Sequence, residues 1–203
     1  MNIFLETPRL FLRDLIDDDL DHLVELDKDP EVMRYINGGI AVSYQAIANN
    51  FLPYVKSYNK RKDYGFWAMI DKSSQEFIGW IFLRPEIDFE LLRQLDFAEA
   101  DATEIGYRIR QSSWNQGYTT EAAKILIEKS FTESEITKIV AWALAENRAS
   151  TRVMEKVGLK LQQEYLITTD MLPANLLENN LIQNVLNRPF VRYQLINTVC
   201  QET

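Results

Sequence analysis

The chain has 203 residues, a formal charge of −8, and 46 % hydrophobic against 26 % charged residues. These are globular rather than disordered or fibrous proportions, and the length suits one domain, since domains cluster around ~100 to 150 residues. The acidic balance argues against broad nucleic-acid binding, no apolar run or signal peptide points to a membrane, and the lone Cys200 excludes an internal disulfide or a cysteine-rich metal site, so a cytoplasmic chain is expected.

Leu10 and Leu12 alternate with Arg9, Phe11 and Arg13, predicting a first strand over residues 5–14 around the turn-prone Thr7-Pro8. Ile16, Leu20, Leu23 and Val24 have helical spacing and predict a helix over 17–28, opening on aspartates that suit a helix N-terminus. After Gly38-Gly39, Ser43 caps a second helix predicted for 43–59. Strands over 64–71 and 76–84 read as an antiparallel hairpin around Lys72-Ser73-Ser74. An acidic excursion, 85–102, precedes a strand over 103–110, a loop over 112–117 and a helix over 118–131. A strand over 136–145, apolar on both faces, reads as central and covered. A helix over 147–157 ends at Gly158, strands follow over 159–167 and 190–199, and an amphipathic helix is predicted between them at 173–186. The order fits an α/β (α+β) fold, a mixed, mostly antiparallel sheet with helices on both faces, better than a doubly wound sheet.

The informative stretch is the strand, loop and helix over 104–123, with Ser112-Ser113-Trp114-Asn115-Gln116-Gly117 leading into Tyr118. A helix N-terminus offers unpaired N–H groups and the positive end of a dipole, so this junction is a candidate phosphate cradle; it also fits a plain junction that binds nothing. Neither Gly-Lys-Ser/Thr nor Gly-x-Gly-x-x-Gly occurs.

Together with Asn147-Arg148-Ala149-Ser150-Thr151-Arg152 and the opening Glu6-Thr7-Pro8-Arg9-Leu10-x-Leu12-Arg13, this stretch resembles the GNAT superfamily of acyl-CoA-dependent N-acetyltransferases. Within it, the likeness is to the branch that includes the ribosomal-protein N-terminal acetylases. It covers nearly the whole chain, with 85–102 and 168–188 as elaborations. It implies a GNAT fold of about seven strands in a single domain, residues 1–203, with an added helical insertion near 168–188. It implies acetyl-CoA as co-substrate, without a metal, lying between the 104–110 and 136–145 strands with its pyrophosphate on the amides of residues 113–118. The coenzyme contacts so implied are Tyr107, Arg108, Ile109, Ser113, Trp114, Asn115, Gln116, Gly117, Tyr118, Asn147 and Arg152. Ser112 and Asn115 depart from the family's Gln/Arg-x-x-Gly-x-Gly/Ala loop and Gly117 keeps its second glycine; asparagine tolerates the left-handed conformation.

Acetyl transfer needs a neutral amine. An α-amine with a pKa of ~7.7 to 8.0 needs only a modest base, whereas a lysine near ~10.4 costs ~4 to 5 kcal/mol to deprotonate at pH 7. Glu104 is the candidate base, directly or through water; its structural alternative is a carboxylate paired with an arginine. The resemblance implies a backbone N–H near Ile109, on a bulged strand, for the developing oxyanion, and Ser150 as proton donor to the leaving thiolate, with Tyr165 as a further candidate. Asn147 and Ser150 also fit simple capping roles. His22 is expected to be exposed, and Phe66, Trp67, Trp80 and Trp142 to be core. Asp17, Asp18, Asp19, Asp21, Glu25, Asp27, Asp29 and Glu31 suggest an acidic acceptor groove that attracts cations, or a solvated helix face. The 173–186 helix reads as a lid on the amine site or a dimer contact. The expected acceptor is a protein or peptide α-amine in a monomer or homodimer; a small cationic amine (polyamine, amino acid or aminoglycoside) and a non-catalytic acyl-CoA sensor are the alternatives.

Overall fold

The computed structural model describes residues 3–58 and 60–198. The predicted ends at Asn59 and Val199, and Cys200, lie outside the described residues.

Thr7 and Pro8 divide the predicted first strand into a hairpin, β1 (Ile3–Glu6) and β2 (Leu10–Asp14). With β3 (Gly65–Asp71), β4 (Phe77–Pro85), β5 (Thr103–Ile109), β6 (Lys138–Leu144), β7 (Lys160–Leu166) and β8 (Pro189–Ile196), they form one sheet in the order β1-β2-β3-β4-β5-β6-β8-β7. The hairpin makes eight strands where about seven were expected. Every neighbouring pair is antiparallel except β5 and β6.

A 3-10 turn over Asp17–Asp19 leads into α1 (Leu20–Lys28). Sequence reading missed α2 (Pro30–Asn37), although its start carries a clear signal. Asp29 Oδ1 accepts the Glu31 amide at 2.9 Å, and Pro30 stands first in the helix, where its missing N–H costs nothing. Ser43 caps the next helical stretch as predicted, but that stretch is divided: α3 (Tyr44–Ala46), a π turn over Ile47–Phe51, then α4 (Leu52–Tyr58). The acidic excursion contains α5 (Glu90–Gln94). The two helices behind the motif are α6 (Tyr118–Glu133) and α7 (Arg148–Lys156). The predicted 173–186 helix is shorter: a 3-10 turn over Ala174–Leu176, then α8 (Asn180–Val185), which restarts because Asn179 Oδ1 caps the Leu181 amide at 2.9 Å.

Alternation along the strands sends two sets of side chains to two covers. Ile105, Ile139, Ala141 and Val191 pack with Ala122, Ala123, Leu126 and Ile127 of α6 and Met154 of α7. On the other face Phe66, Trp80 and Phe82 meet Leu23 and Leu26 of α1, Ile47 of the π turn and Val55 of α4. Phe66, Trp67 and Trp80 are buried core residues, as expected. A Cβ at Gly106 would lie 2.3 Å from the Phe82 ring, so this glycine makes room for core packing rather than for a ligand.

The two elaborations form a third core together. Leu91 and Leu92 of α5 pack with Leu172, Leu176, Ile182 and Val185 against Leu144 and Phe190 of the sheet. At its heart the fully buried Glu86 accepts Arg192 Nε and Nη2, both at 2.9 Å, the Trp142 indole N–H at 2.6 Å and the Glu99 amide at 2.9 Å. Removing one partner of such a pair strands a buried charge. Glu86→Ala should therefore lower stability by about 3–5 kcal/mol in denaturant unfolding; a loss under about 1 kcal/mol would show that Glu99, whose carboxylate lies 3.1 Å from Arg192 Nη1, suffices to hold the charge.

Candidate active site

β5 and β6 pair only through Thr103 with Ile139 and Glu104 with Val140. Beyond that point the strands part, while β6 stays paired with β8 as far as Leu144 and Phe190. Arg110 donates its amide to Ile78 of β4 at 2.8 Å. By the alternation of an antiparallel ladder, the Ile109 N–H therefore points the other way, into the gap. The β4–β5 register runs without a shift from Gly79/Ile109 to Pro85/Thr103. The bulge that the resemblance implied for this strand is absent, and the alternation alone aims the amide. The Ile109 carbonyl accepts the Trp114 indole N–H at 2.9 Å.

Across the gap, the Tyr107 hydroxyl donates to the Ser150 carbonyl at 3.1 Å and lies 3.1 Å from Ser150 Oγ. Burial raises the pKa of this phenol, so it stays protonated. Asn147 caps α7, its Oδ1 accepting the Ser150 amide at 3.2 Å. With the phenol proton on the carbonyl, the Ser150 hydroxyl proton is left to turn toward another acceptor.

The loop ahead of α6 has two left-handed residues, Asn115 (φ 58°) and Gly117 (φ 80°). Asparagine thus holds the backbone of the family's first glycine, as its tolerance of this conformation predicted. The Ser113 and Trp114 amides close the loop's own turn, on Arg110 O at 3.0 Å and Gln111 O at 3.1 Å. Of the amides at 113–118 expected to face an anion, these two are engaged and those from Asn115 onward remain. The Glu121 amide makes the first bond of α6, to Gly117 O at 3.0 Å, so the amides before it have no acceptor inside the helix. Gln116 braces the loop through Nε2 to Ser112 O at 2.8 Å. Two left-handed residues, open amides and an adjoining gap fit the phosphates and extended arm of a CoA thioester.

Glu104 lies on the opposite face of β5, at the closed end of the gap. It is buried and pairs with Arg84 Nε at 2.7 Å. Burial raises its carboxyl, opposed by Arg84 and reinforced by the charge of Glu86. Arg84 Nη1 also donates to the Tyr54 hydroxyl at 3.3 Å.

Arg108 of β5 and Arg110 just after it turn away from the loop ahead of α6. Arg108 pairs with Asp27 of α1 and lies over Trp80, and Arg110 pairs with Glu25 at 2.6 Å and with His22 Nδ1 at 3.1 Å. His22 is exposed, as expected, but stacks on Phe77. Arg152 is exposed on α7, Lys124 approaches Glu128 at 3.9 Å, and Tyr165 packs on Phe97 and Trp142 in the third core. The acidic first helix is largely neutralised as well. Asp19 is bidentate with Arg13 at 2.6 Å, Asp17 pairs with Lys56, Glu31 with Arg34, and Asp29 is a cap. Among the described residues no group of three or more His, Cys, Asp or Glu is placed to hold a metal, and no helix is long and apolar enough to cross a membrane. Two open grooves of about 460 and 480 Å³, beside Lys124 and Lys156 and beside Asp17 and Lys56, are lined by no residue of the gap or its loop.

The acetyltransferase (GNAT) domain family matches residues 9–160, so the chain belongs to that family and is an acetyl-CoA-dependent acetyltransferase. The FsC-acetyl coenzyme A-N(2)-transacetylase of Aspergillus fumigatus is 25 % identical over 94 % of this chain and 79 % of its own. The fold is shared with RimL, a ribosomal L7/L12 alpha-N-protein acetyltransferase solved with CoA (TM-score 0.71, 15 % identity, 96 % of this chain and 98 % of that one). It is shared too with the spermidine N-acetyltransferase of Vibrio cholerae (TM-score 0.65, 15 % identity, 93 % and 96 %).

Gly117→Val places a β-branched residue at φ 80°, a conformation that costs L-residues roughly 1–2 kcal/mol. The variant should bind CoA roughly 5- to 30-fold more weakly in calorimetry, while Asn115→Gly binds as the wild type does. Unchanged affinity in Gly117→Val would mean that the loop is not the cradle.

Proposed function

We propose that the chain works as one domain, residues 1–203, that acetylates the α-amine of a protein or peptide in a direct ternary complex, in the manner of the ribosomal-protein acetylase branch. The observation that carries this reading is the pairing of the acidic helix. Asp19, Glu25 and Asp27 are held by Arg13, Arg110 and Arg108, which leaves little free negative charge to draw in a polycation. An α-amine needs no such field and only a modest base.

Acetyl-CoA supplies an activated acetyl thioester. In this reading Glu104 takes the proton of the incoming ammonium, the amine nitrogen bonds to the acetyl carbon, and the carbon–sulfur bond breaks. The Ile109 N–H faces the oxygen on which charge develops; the Ser150 hydroxyl, oriented by Tyr107 and Asn147, gives its proton to the leaving thiolate and regains one from the adduct nitrogen, which sheds its second proton as the neutral amide forms. Both elaborations brace the acceptor-side helices. Asp88 accepts Tyr58 Oη at 2.5 Å and Arg61 at 2.9 Å, and Asn184 of α8 donates to Arg34 O of α2 at 3.3 Å. That supports the lid over the dimer contact as the role of 173–186, since a wall on this side admits a chain terminus or a small molecule and excludes an internal lysine of a folded surface.

A small cationic amine is the second reading. Asp18 and Asp21 remain exposed on this face, and the fold neighbours include a spermidine acetyltransferase and an aminoglycoside acetyltransferase. CoA release measured with unblocked peptides, spermidine and an aminoglycoside separates the two: turnover of peptides ahead of both cations supports the α-amine, and the reverse order contradicts it. With the preferred acceptor, kcat/KM should fall on the acid side through an ionisation above the ordinary 4.5 of a glutamate, because a base whose pKa is raised loses its charge at a higher pH. Glu104→Gln should lower kcat by about 10²-fold and remove that limb; an unchanged pH profile would exclude Glu104 as the base.

A further inference from the structure

The coenzyme loop is held by a residue far from it in sequence. Glu121 stands in the first turn of α6, close behind the open amides of the loop. The helix dipole favours a carboxylate there, but its charge opposes a phosphate at the same helix end. It is answered on three sides: Oε1 accepts Thr7 Oγ1 at 2.6 Å and the Arg9 amide at 2.9 Å, and Oε2 accepts Arg9 Nε at 2.7 Å. Burial acts to raise this carboxyl, and the Thr7 and Arg9 bonds outweigh it and hold it below the usual range.

Arg9 reaches further into the loop. Its Nη1 donates to the Gln116 carbonyl at 3.0 Å, and its guanidinium lies 4.4 Å over the Tyr118 ring. Its Nη2 is the one heavy atom that a Cβ on Gly117 would meet within 4 Å, at 3.6 Å. Among the described residues Nη2 makes no hydrogen bond, and the side chain is 44 % exposed. Two nitrogens of the fork are thus fixed to protein, and the third stands at the glycine of the cradle. A planar fork anchored in this way suits a phosphate oxygen.

We propose that Arg9 is a coenzyme-binding residue: it cancels Glu121, fastens the loop through Gln116 and presents Nη2 to a phosphate of CoA. The proposal rests on the loop's being the coenzyme cradle. Calorimetric titration of CoA into the wild type and Arg9→Gln, at low and high salt, tests it. Arg9→Gln should bind roughly tenfold more weakly at low salt, with the difference shrinking as salt rises. Equal affinity, or a loss that salt does not change, would overturn the role. Should Arg9→Gln fail to fold, butanedione labelling of the wild-type protein gives the answer: CoA should protect Arg9 from modification, and equal labelling with and without CoA would overturn the proposal. A wild type that binds no CoA would instead undermine the cradle itself.

Discussion

The site depends on where one ladder stops. Among the described residues β5 and β6 are the only parallel neighbours in the sheet, and their pairing ends at Glu104 and Val140. Backbone donors and acceptors shut away from water must find partners, so two diverging strands in a covered sheet call for something between them. Here the partners include the Trp114 indole on the Ile109 carbonyl and the Tyr107 hydroxyl on Ser150 of α7. The remaining amides, at Ile109 and at the start of α6, are those that the chemistry of acetyl transfer can use. The covers keep the strands apart, with α6 and α7 on one face and the first four helices and the third core on the other.

Charge has been put to work inside the molecule. Asp19, Glu25 and Asp27 at and around α1 face Arg13 of β2, Arg108 of β5 and Arg110 just after it, so they tie the helix to the sheet as much as they set an outward field. Buried pairs add little net stability, yet breaking one is costly, which makes them better at fixing geometry than at strengthening the fold. Glu86 and Arg192 do this for the two elaborations, while the more exposed Arg9 ties Glu121 and the loop ahead of α6 to the start of β2.

Much of this was legible in the sequence because it is local. Alternation marked the strands, Ser43 and Asn147 announced their caps, and Asn115 and Gly117 marked the left-handed turns of the loop. Pairings across the chain were not legible. Arg9 meets Glu121, and Arg108 meets Asp27, only once the sheet has brought distant segments together. The need for glycine at 106 was not legible either, because nothing nearby in sequence announces the Phe82 ring that excludes a side chain there. The missed α2 had a readable signal in Asp29-Pro30-Glu31, obscured by the acidic run around it.

Hydrogen–deuterium exchange with and without CoA tests the central assignment most directly, because it reports on the amides themselves. Binding should slow exchange in peptides covering 105–120 and 141–150, with the change concentrated at Ile109 and at 115–118. Protection confined to the groove beside Lys124 and Lys156, or no protection over 115–118 at saturating CoA, would contradict a coenzyme held between β5 and β6.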